Sequence, residues 1–308
     1  GCGAIGAAAA NLLARAGVGR IRIVDRDFVE LSNLQRQTLF DESDAAQALP
    51  KAIAAERALK SINSSVDVEG LVADINPANA SELLQDFDLI LDGTDNFETR
   101  FLLNDFAVHA NKPWIYAAAV SSYGIFMTIL PGVTACLTCL LEAPAAATGM
   151  EDTCDTVGVL SPIVNLIASL EVAEAMKLLS GNREALHGRL ISCDVWSGHF
   201  QSLQIPRNPQ CRACAHRDFI YLAGQAQPHI TMCGRDSVQI HERHRSLDLP
   251  ALKLRLAPTV EGVQHNDFLL RFRIAPHEMT VFADGRAIVK GTTDPAVARS
   301  LYARFIGS

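Results

Sequence analysis

The sequence has 308 residues, of which 49% are hydrophobic, and this length can bury a large core in one big domain plus a smaller one. The formal net charge is −7 and neither Lys nor Arg gathers into a long run, which argues against a nucleic-acid-binding protein. No run of about eighteen uninterrupted apolar residues and no basic, apolar leader occurs, so we expect a soluble, cytoplasmic protein with no membrane partner.

The first elements are typical of a βαβ unit without its opening strand. Gly1 lies inside a glycine-rich turn, and we expect a native segment to precede it. An Ala- and Leu-rich helix is predicted over residues 4–16, closed by Gly17, and the apolar run RIRIVD predicts a strand over residues 20–25.

Strands and helices continue to alternate as far as residue 130. Helices are predicted over residues 49–63 and 98–110, with strands at VDVEGLVADI, FDLILDGTDN, PWIYAAA and YGIFMTILP. This alternation is typical of an α/β fold with a doubly wound, mainly parallel, Rossmann-like sheet. Ligands of such sheets bind at the carboxyl ends of the strands, so polar residues there are candidate site residues.

The alternation stops at a predicted loop over residues 132–160. A long helix and two strands, RLISCDV and FQSLQI, then complete a large domain over residues 1–221, followed by a linker at 222–228. Residues 229–308 are predicted to form a small α+β module, with strands at HITMC, SVQIH, LLRFRI and MTVFAD and a last helix at DPAVARSLYARFI.

The N-terminal turn and the strand after its helix predict a nucleotide site. Gly1, Gly3 and Gly6 match G-x-G-x-x-G, in which missing side chains let backbone amides and a helix N-terminus approach phosphates. Asp25 ends the next strand, where an acid typically receives a ribose hydroxyl. The glycine pattern alone is equally compatible with an ordinary turn.

Two cations and a further acid favour chemistry on phosphates over hydride transfer. Arg36 and Lys51 could surround a triphosphate, and Asp95 in DGTDN could hold Mg²⁺. Hydride transfer develops no negative charge that needs such cations, whereas attack on an α-phosphate does. The competing interpretation makes Arg36 and Lys51 solvated surface charges and Asp95 a helix N-cap.

The cysteines fall into two C-x-x-C pairs and four single residues. The pairs, Cys136 with Cys139 and Cys211 with Cys214, predict a tetrahedral site for a structural Zn²⁺ that joins distant pieces of one domain. Redox motifs are the alternative. Cys154 lies in a polar loop where exposure and reactivity are plausible, whereas Cys2 and Cys193 are predicted to be structural.

Between residue 1 and about residue 217 the chain resembles the ThiF/MoeB/HesA family. The resemblance rests on six segments that occur in the order found in that family: SNLQRQ, DGTDN, CLTC, EDTC, GVLSP and RNPQCRAC. The resemblance implies a ubiquitin-activating-enzyme-like adenylyltransferase that uses ATP and Mg²⁺. Its substrate would be the C-terminal glycine of a ubiquitin-like sulfur carrier protein ending in Gly-Gly, for thiamin or molybdenum cofactor biosynthesis. It also implies release of pyrophosphate, a sulfur donor such as a cysteine desulfurase, and a homodimer.

The same resemblance assigns roles to individual residues. Arg36, Lys51 and Mg²⁺ at Asp95 would stabilise charge on the α-phosphate. Cys154 matches a loop cysteine that in some relatives forms a covalent link to the carrier. The four paired cysteines would bind Zn²⁺. The residues implied in nucleotide binding are Gly1, Gly3, Ala4 (where the family usually has glycine), Gly6, Asp25, Asp27, Ser32, Asn33, Leu34, Gln35, Arg36, Lys51, Asp95 and Asn96.

Two further functional interpretations stay open at this point. An NAD-dependent oxidoreductase would use the glycines and Asp25 but leaves Arg36, Lys51, Asp95 and the paired cysteines unassigned. A zinc-stabilised scaffold would bind a carrier without activating it. The C-terminal module resembles an extension of some bacterial ThiF-like proteins, through CGRDSVQI and DGRAIVKGT, and Cys233 there is either a sulfur acceptor or a structural residue.

Overall fold

The computed structural model describes residues 1–141, 158–225, 237–241 and 247–307 of the chain. The chain forms two compact units, residues 1–227 and residues 228–308. Each unit has its own hydrophobic core. Among the described residues, no helix is both long and apolar enough to cross a lipid bilayer.

The first unit alternates helices with strands, as the sequence pattern predicts. Its helices are α1 (Ala4–Arg15), α2 (Glu42–Ala46), α3 (Lys51–Ile62), α4 (Ala80–Leu84), α5 (Phe97–His109), α6 (Leu137–Leu140) and α7 (Ser161–Leu179). Its strands are β1 (Arg20–Asp25), β2 (Asp67–Val72), β3 (Ile90–Leu91), β4 (Trp114–Val120), β5 (Tyr123–Ile129), β6 (Leu190–Asp194) and β7 (His199–Leu203). Short 3₁₀ turns occupy Leu31–Asn33 and Arg183–Ala185.

The helix α1 leads from the glycine turn to β1. Strong helix formers, mostly Ala and Leu, fill it, and its small buried residues pack closely against α7. The helix stops before Gly17, whose φ of 78° is a left-handed conformation that glycine adopts without steric cost. This confirms the predicted helix end and returns the chain to β1.

The strands pair in a mixed manner, so the predicted mainly parallel sheet is only partly right. β1 pairs with β2 and β3 pairs with β4 in parallel, as predicted, whereas β4 to β7 form an antiparallel run. The reason lies in the connections: only Ser121 and Ser122 separate β4 from β5, and a parallel pair needs a crossover of about a dozen residues.

Helices cover both faces of the strands of the first unit. One core cluster includes residues of α1, α3 and α7, and the other includes residues of α4 and α5 with Trp114 and Tyr116 of β4. The ends of β1 and β3 therefore open between two helical layers. Loops that follow these strands carry most of the predicted site residues.

The second unit is a five-stranded antiparallel sheet with helices packed on one face. Its strands are β8 (Ser237–His241), β9 (Glu261–His265), β10 (Leu269–Ile274), β11 (His277–Phe282) and β12 (Arg286–Lys290), in the order β8-β12-β11-β10-β9. The helices are α8 (Leu249–Leu256) and α9 (Pro295–Phe305). Predicted strands correspond to β8, β10 and β11; α8, β9 and β12 were not predicted, and HITMC lies outside the described residues.

Gly124 of β5 tests how tightly α7 packs on the sheet. A Cβ at Gly124 would lie 2.5 Å from Cγ1 of Ile167 and 3.0 Å from Cγ1 of Ile163, both fully buried. We expect Gly124→Ala to lower the free energy of unfolding by about 1–3 kcal/mol, measured by urea denaturation with circular dichroism. Gly19→Ala, whose Cβ meets nothing within 4 Å, is the control; equal stability of both variants would contradict the tight packing.

Candidate nucleotide site and cysteine cluster

Three glycines bring the N-terminal turn into backbone contact with the turn after β3. A Cβ at Gly6 would lie 2.1 Å from the carbonyl oxygen of Gly1, and a Cβ at Gly93 would lie 2.4 Å from the same oxygen. Side chains are therefore excluded at both positions. At Gly3 a Cβ would meet only the Gly93 carbonyl oxygen, at 3.8 Å, so this part of the turn stays open to a ligand.

Asp25 joins the end of β1 to the glycine turn. Its Oδ2 accepts the backbone N–H of Cys2 at 2.6 Å, and its Oδ1 accepts that of Asp27 at 2.7 Å. A carboxylate offers about four acceptor positions, so two remain for ligand hydroxyls. The position predicted for ribose binding thus also organises the turn itself.

Lys51, the first residue of α3, is a buried cation among acids. Its Nζ lies 3.3 Å from Oδ2 of Asp27, and its side chain is only 9% exposed. Burial alone would lower the pKa of Lys51, but the negative charges of Asp27, Asp25 and Asp95 raise it above its ordinary value. The lysine stays protonated, and its interpretation as a solvated surface charge is wrong.

The turn after β3 presents Asp95 to solvent and uses Asn96 to begin α5. The Oδ1 atom of Asn96 accepts the backbone N–H of Thr99 at 2.8 Å, so Asn96 is the N-cap and the alternative assignment of that role to Asp95 is wrong. Asp95 is exposed, and among the described residues its carboxylate accepts a single long contact, 3.4 Å, from Nδ2 of Asn96. Its carboxylate keeps acceptor positions for a ligand.

A buried ion pair that the sequence analysis missed fixes this turn. Asp92 is fully buried, and its Oδ2 lies 3.0 Å from Nε of Arg100. Its Oδ1 accepts both the backbone N–H and the hydroxyl of Thr94, at 2.9 and 2.7 Å. Arg100 in turn donates from Nη2 to the carbonyl oxygen of Thr94 at 2.7 Å. The sequence signal that could have indicated this buried pair is the position of Arg100 directly before the apolar Phe101.

The segment 32–36 makes local hydrogen bonds. Nη1 of Arg36 donates to the carbonyl oxygen of Ser32 at 3.2 Å, and Nδ2 of Asn33 contacts the Ser32 hydroxyl at 3.3 Å. Within the described ranges, no hydrogen bond or ion pair joins residues 32–36 to Asp25, Lys51 or Asp95. The structure thus assembles the glycine turn, Asp25, Asp27, Lys51 and Asp95, and leaves Arg36 without an acidic partner among the described side chains.

The four paired cysteines converge on one point, as predicted. The sulfur of Cys136 lies 3.8 Å from that of Cys139 and 3.6 Å from that of Cys211, and the sulfurs of Cys139 and Cys214 lie 3.4 Å apart. All four sulfurs are within 4.8 Å of one another. A tetrahedral Zn²⁺ with Zn–S bonds of about 2.3 Å would separate its sulfurs by about 3.8 Å, so the donor set fits zinc.

Neighbouring residues of α5 hold the two cysteine segments. Oδ1 of Asn104 accepts the backbone N–H of Leu137 at 2.8 Å, next to the first pair. Oδ1 of Asp105 lies 3.2 Å from Nη2 of Arg212, and its Oδ2 accepts the backbone N–H of Tyr221 at 3.0 Å. The same helix therefore begins at the turn after β3 and, through Asn104 and Asp105, bonds both cysteine segments.

The single cysteines differ from the cluster. Cys2 and Cys193 are buried free thiols, in agreement with their predicted structural role. Burial, with a contribution from Asp25, raises the pKa of Cys2 to about 12, so its thiol is protonated and unreactive. Cys154 and Cys233, for which covalent sulfur chemistry was considered, lie outside the described residues.

Comparison with known proteins gives matches over most of the chain. Residues 1–213 match the model of the ThiF family. The chain is 43% identical to a protein named sulfur carrier protein ThiS adenylyltransferase from Bacillus subtilis (strain 168), covering 100% of this chain and 91% of that protein. It is 36% identical to molybdopterin-synthase adenylyltransferase of Escherichia coli (strain K12), over 70% of this chain and 84% of that protein.

A solved structure agrees with these matches. The crystal structure of E. coli MccB with ATP superposes with a TM-score of 0.60 at 26% identity, covering 70% of this chain and 65% of MccB. The chain thus spans slightly less than two thirds of MccB. The family model covers well over half of the sequence, and a relative with 43% identity extends over all of it. The chain belongs to the ThiF family.

Proposed function

We propose that this adenylyltransferase transfers AMP from ATP to the C-terminal carboxylate of a small sulfur carrier protein. The enzyme class follows from family membership and from the names of the full-length and partial relatives. The observation that supports the reaction in this chain is the position of Lys51, a buried cation with a raised pKa, among Asp25, Asp27 and Asp95 beside the open glycine turn.

In the proposed reaction, a carboxylate oxygen of the carrier attacks the α-phosphorus of ATP. The bond from that phosphorus to the oxygen bridging the β-phosphate breaks, pyrophosphate leaves, and a mixed acyl-phosphate anhydride with AMP forms. Lys51 stabilises the negative charge that develops on the α-phosphate. Asp25 accepts ribose hydroxyls, and the backbone at Gly3 lies against the phosphates.

The exposed carboxylate of Asp95 would hold Mg²⁺, which when bound neutralises charge on the phosphates. Arg36 is the second cation of the proposal. Its guanidinium has no acidic partner among the described side chains, so it is available to an anionic ligand. Its contact with the nucleotide remains a prediction from the family resemblance, as does that of Ser32, Asn33, Leu34 and Gln35.

A ThiS-like carrier is the favoured substrate, which would place the enzyme in thiamin biosynthesis. The relative named for ThiS matches this chain along its whole length, including residues 228–308, whereas the molybdopterin-synthase relative matches 70% of it. A homodimer, a sulfur donor such as a cysteine desulfurase, and covalent chemistry at Cys154 remain predictions. The names of the relatives leave no support for an NAD-dependent oxidoreductase.

We further propose that Cys136, Cys139, Cys211 and Cys214 bind a structural Zn²⁺. The site has four thiolate donors at tetrahedral spacing and hence no open position for a substrate. In the absence of a cation, burial and the neighbouring sulfurs raise the pKa of Cys136. A bound metal cation would offset the repulsion between the thiolates.

Exchange of labelled pyrophosphate into ATP tests the proposed reaction. With Mg²⁺ and a ThiS-type carrier ending in Gly-Gly, we expect exchange that falls about 100-fold or more in Asp95→Ala, because the metal loses its ligand. Asp86→Ala, which removes another exposed acid before β3, is the matched control and should exchange normally. Folded, zinc-loaded protein without exchange on any carrier would favour the scaffold, and exchange with only a MoaD-type carrier would contradict the thiamin assignment.

Replacing the buried lysine tests the electrostatic part of the mechanism. We expect Lys51→Met to lower the exchange rate about 100-fold, because Nζ of Lys51 lies 3.3 Å from Oδ2 of Asp27, whereas the Arg26 guanidinium lies 4.0 Å from Asp27 and pairs more closely with Asp74. Lys60→Met removes a half-exposed lysine of the same helix and serves as control. Exchange by Lys51→Met at the rate of the control would exclude Lys51 from the reaction.

Native mass spectrometry with a chelator tests the cysteine site. We expect one Zn²⁺ per chain, lost in Cys136→Ser and Cys211→Ser together with a lower melting temperature, because the metal joins two distant segments. Cys193→Ser, at a buried cysteine outside the cluster, should keep the metal. A metal-free native protein with intrapair disulfides would instead support the redox interpretation.

A further inference from the structure

A buried glutamate of α7 lies directly behind the turn that carries Asp95. Glu171 is 0% exposed, and its Oε1 accepts the backbone N–H of Asp92 at 3.1 Å. The two residues are 79 positions apart in the sequence, so this hydrogen bond joins α7 to the end of β3. Glu171 bonds the backbone N–H of Asp92, whereas the Arg100 guanidinium bonds the Asp92 carboxylate and the Thr94 carbonyl oxygen.

The second carboxylate oxygen of Glu171 makes the residue unusual. Oε2 is buried and has no hydrogen-bond partner within the part of the chain that the structure describes. Apart from Glu174, the other buried positions of α7 are apolar, among them Ile167, Ala168 and Val172, so an apolar residue would fill the space without burying a carboxyl group. Packing alone therefore does not account for a glutamate here.

The charge state of Glu171 is compatible with support of the turn. Burial, and then the nearby negative charge of Asp92, raise the pKa of Glu171 well above its ordinary value; the hydrogen bond from the Asp92 amide opposes this effect only in part. This shift favours the neutral form of the carboxyl group, which accepts the Asp92 amide without placing a second negative charge beside the Asp92–Arg100 pair.

We propose that Glu171 is a positioning residue for the adenylation reaction. Its hydrogen bond with the backbone amide of Asp92 holds the turn 92–96 and thereby sets the position of Asp95. This inference rests on the proposed function for its catalytic consequence. Arg100 holds the side chain of Asp92 and the carbonyl of Thr94, and Glu171 holds the backbone at the start of the turn. The two supports act on different groups of the same five residues.

Two substitutions separate hydrogen bonding from packing. Glu171→Gln keeps the acceptor and the shape, and we expect pyrophosphate exchange and its Mg²⁺ half-saturation within about twofold of the native chain. Glu171→Met keeps the volume and removes the acceptor. We expect it to raise the Mg²⁺ half-saturation and to lower maximal exchange by about 10-fold to 100-fold, because a displaced turn moves Asp95.

Glu174→Met provides the matched control on the same helix. Glu174 is also buried, but its carboxylate bonds Thr128, Lys177 and the backbone of His187 instead of the turn. Its replacement should lower the melting temperature without changing the Mg²⁺ half-saturation. The proposal would be overturned if the Mg²⁺ half-saturation were the same in Glu171→Met as in Glu174→Met. It would also be overturned if Glu171→Gln lowered maximal exchange as much as Glu171→Met does.

A readout independent of activity distinguishes failure of this inference from failure of the proposed function. Deuterium uptake by the peptide that contains residues 92–96, followed by mass spectrometry in the full chain, should rise in Glu171→Met and stay native in Glu171→Gln. A native protein without pyrophosphate exchange would refute the proposed function, while unchanged uptake in Glu171→Met would refute the support of the turn.

Discussion

The proposed nucleotide site depends on the backbone contact between the N-terminal turn and the turn after β3. The carbonyl oxygen of Gly1 occupies the space where side chains of Gly6 and Gly93 would lie. Because no side chain intervenes, the ends of β1 and β3 come close enough for Asp25, Lys51 and Asp95 to influence one another. A single methyl group at either glycine would separate the two turns and with them the charges.

The charged side chains that this contact brings together have a negative net charge. Lys51 contributes +1 and Asp25, Asp27 and Asp95 contribute −3, so the four groups sum to −2. A site of this sign would repel a bare triphosphate and accept a nucleotide that arrives with a divalent cation. In the proposed reaction, the acids would both keep Lys51 protonated and favour a nucleotide that carries a metal ion.

The sequence predicted much of this arrangement because local patterns carry it. Helical periodicity and glycine positions predicted α1 and β1, and short motifs predicted Asp25, Lys51 and the paired cysteines. The antiparallel run from β4 was missed because the turn Ser121–Ser122 has neither Gly nor Asn to announce a hairpin. The helix α8 was missed although Asp248 and Pro250 are ordinary helix-start signals.

Contacts between distant residues were beyond sequence reasoning. The hydrogen bond from Asp92 to Glu171 spans 79 positions, and a glutamate inside an Ala- and Leu-rich helix resembles a solvated surface residue until the packing is known. The same holds for Asn104 and Asp105, whose polar side chains are fully buried because they bind the two cysteine segments. Burial of polar groups is decided by tertiary structure, which a single sequence does not display.

The sequence separation inside the cysteine cluster has a consequence for biosynthesis. Cys136 and Cys211 lie 75 positions apart, so the first pair leaves the ribosome well before the second exists. At about 5–20 residues per second, the interval is roughly 4–15 s. During that time the two cysteines of the first pair lack the second pair that completes the cluster. The proposed zinc site, which draws two ligands from each pair, can therefore be completed only after residue 214 has been synthesised.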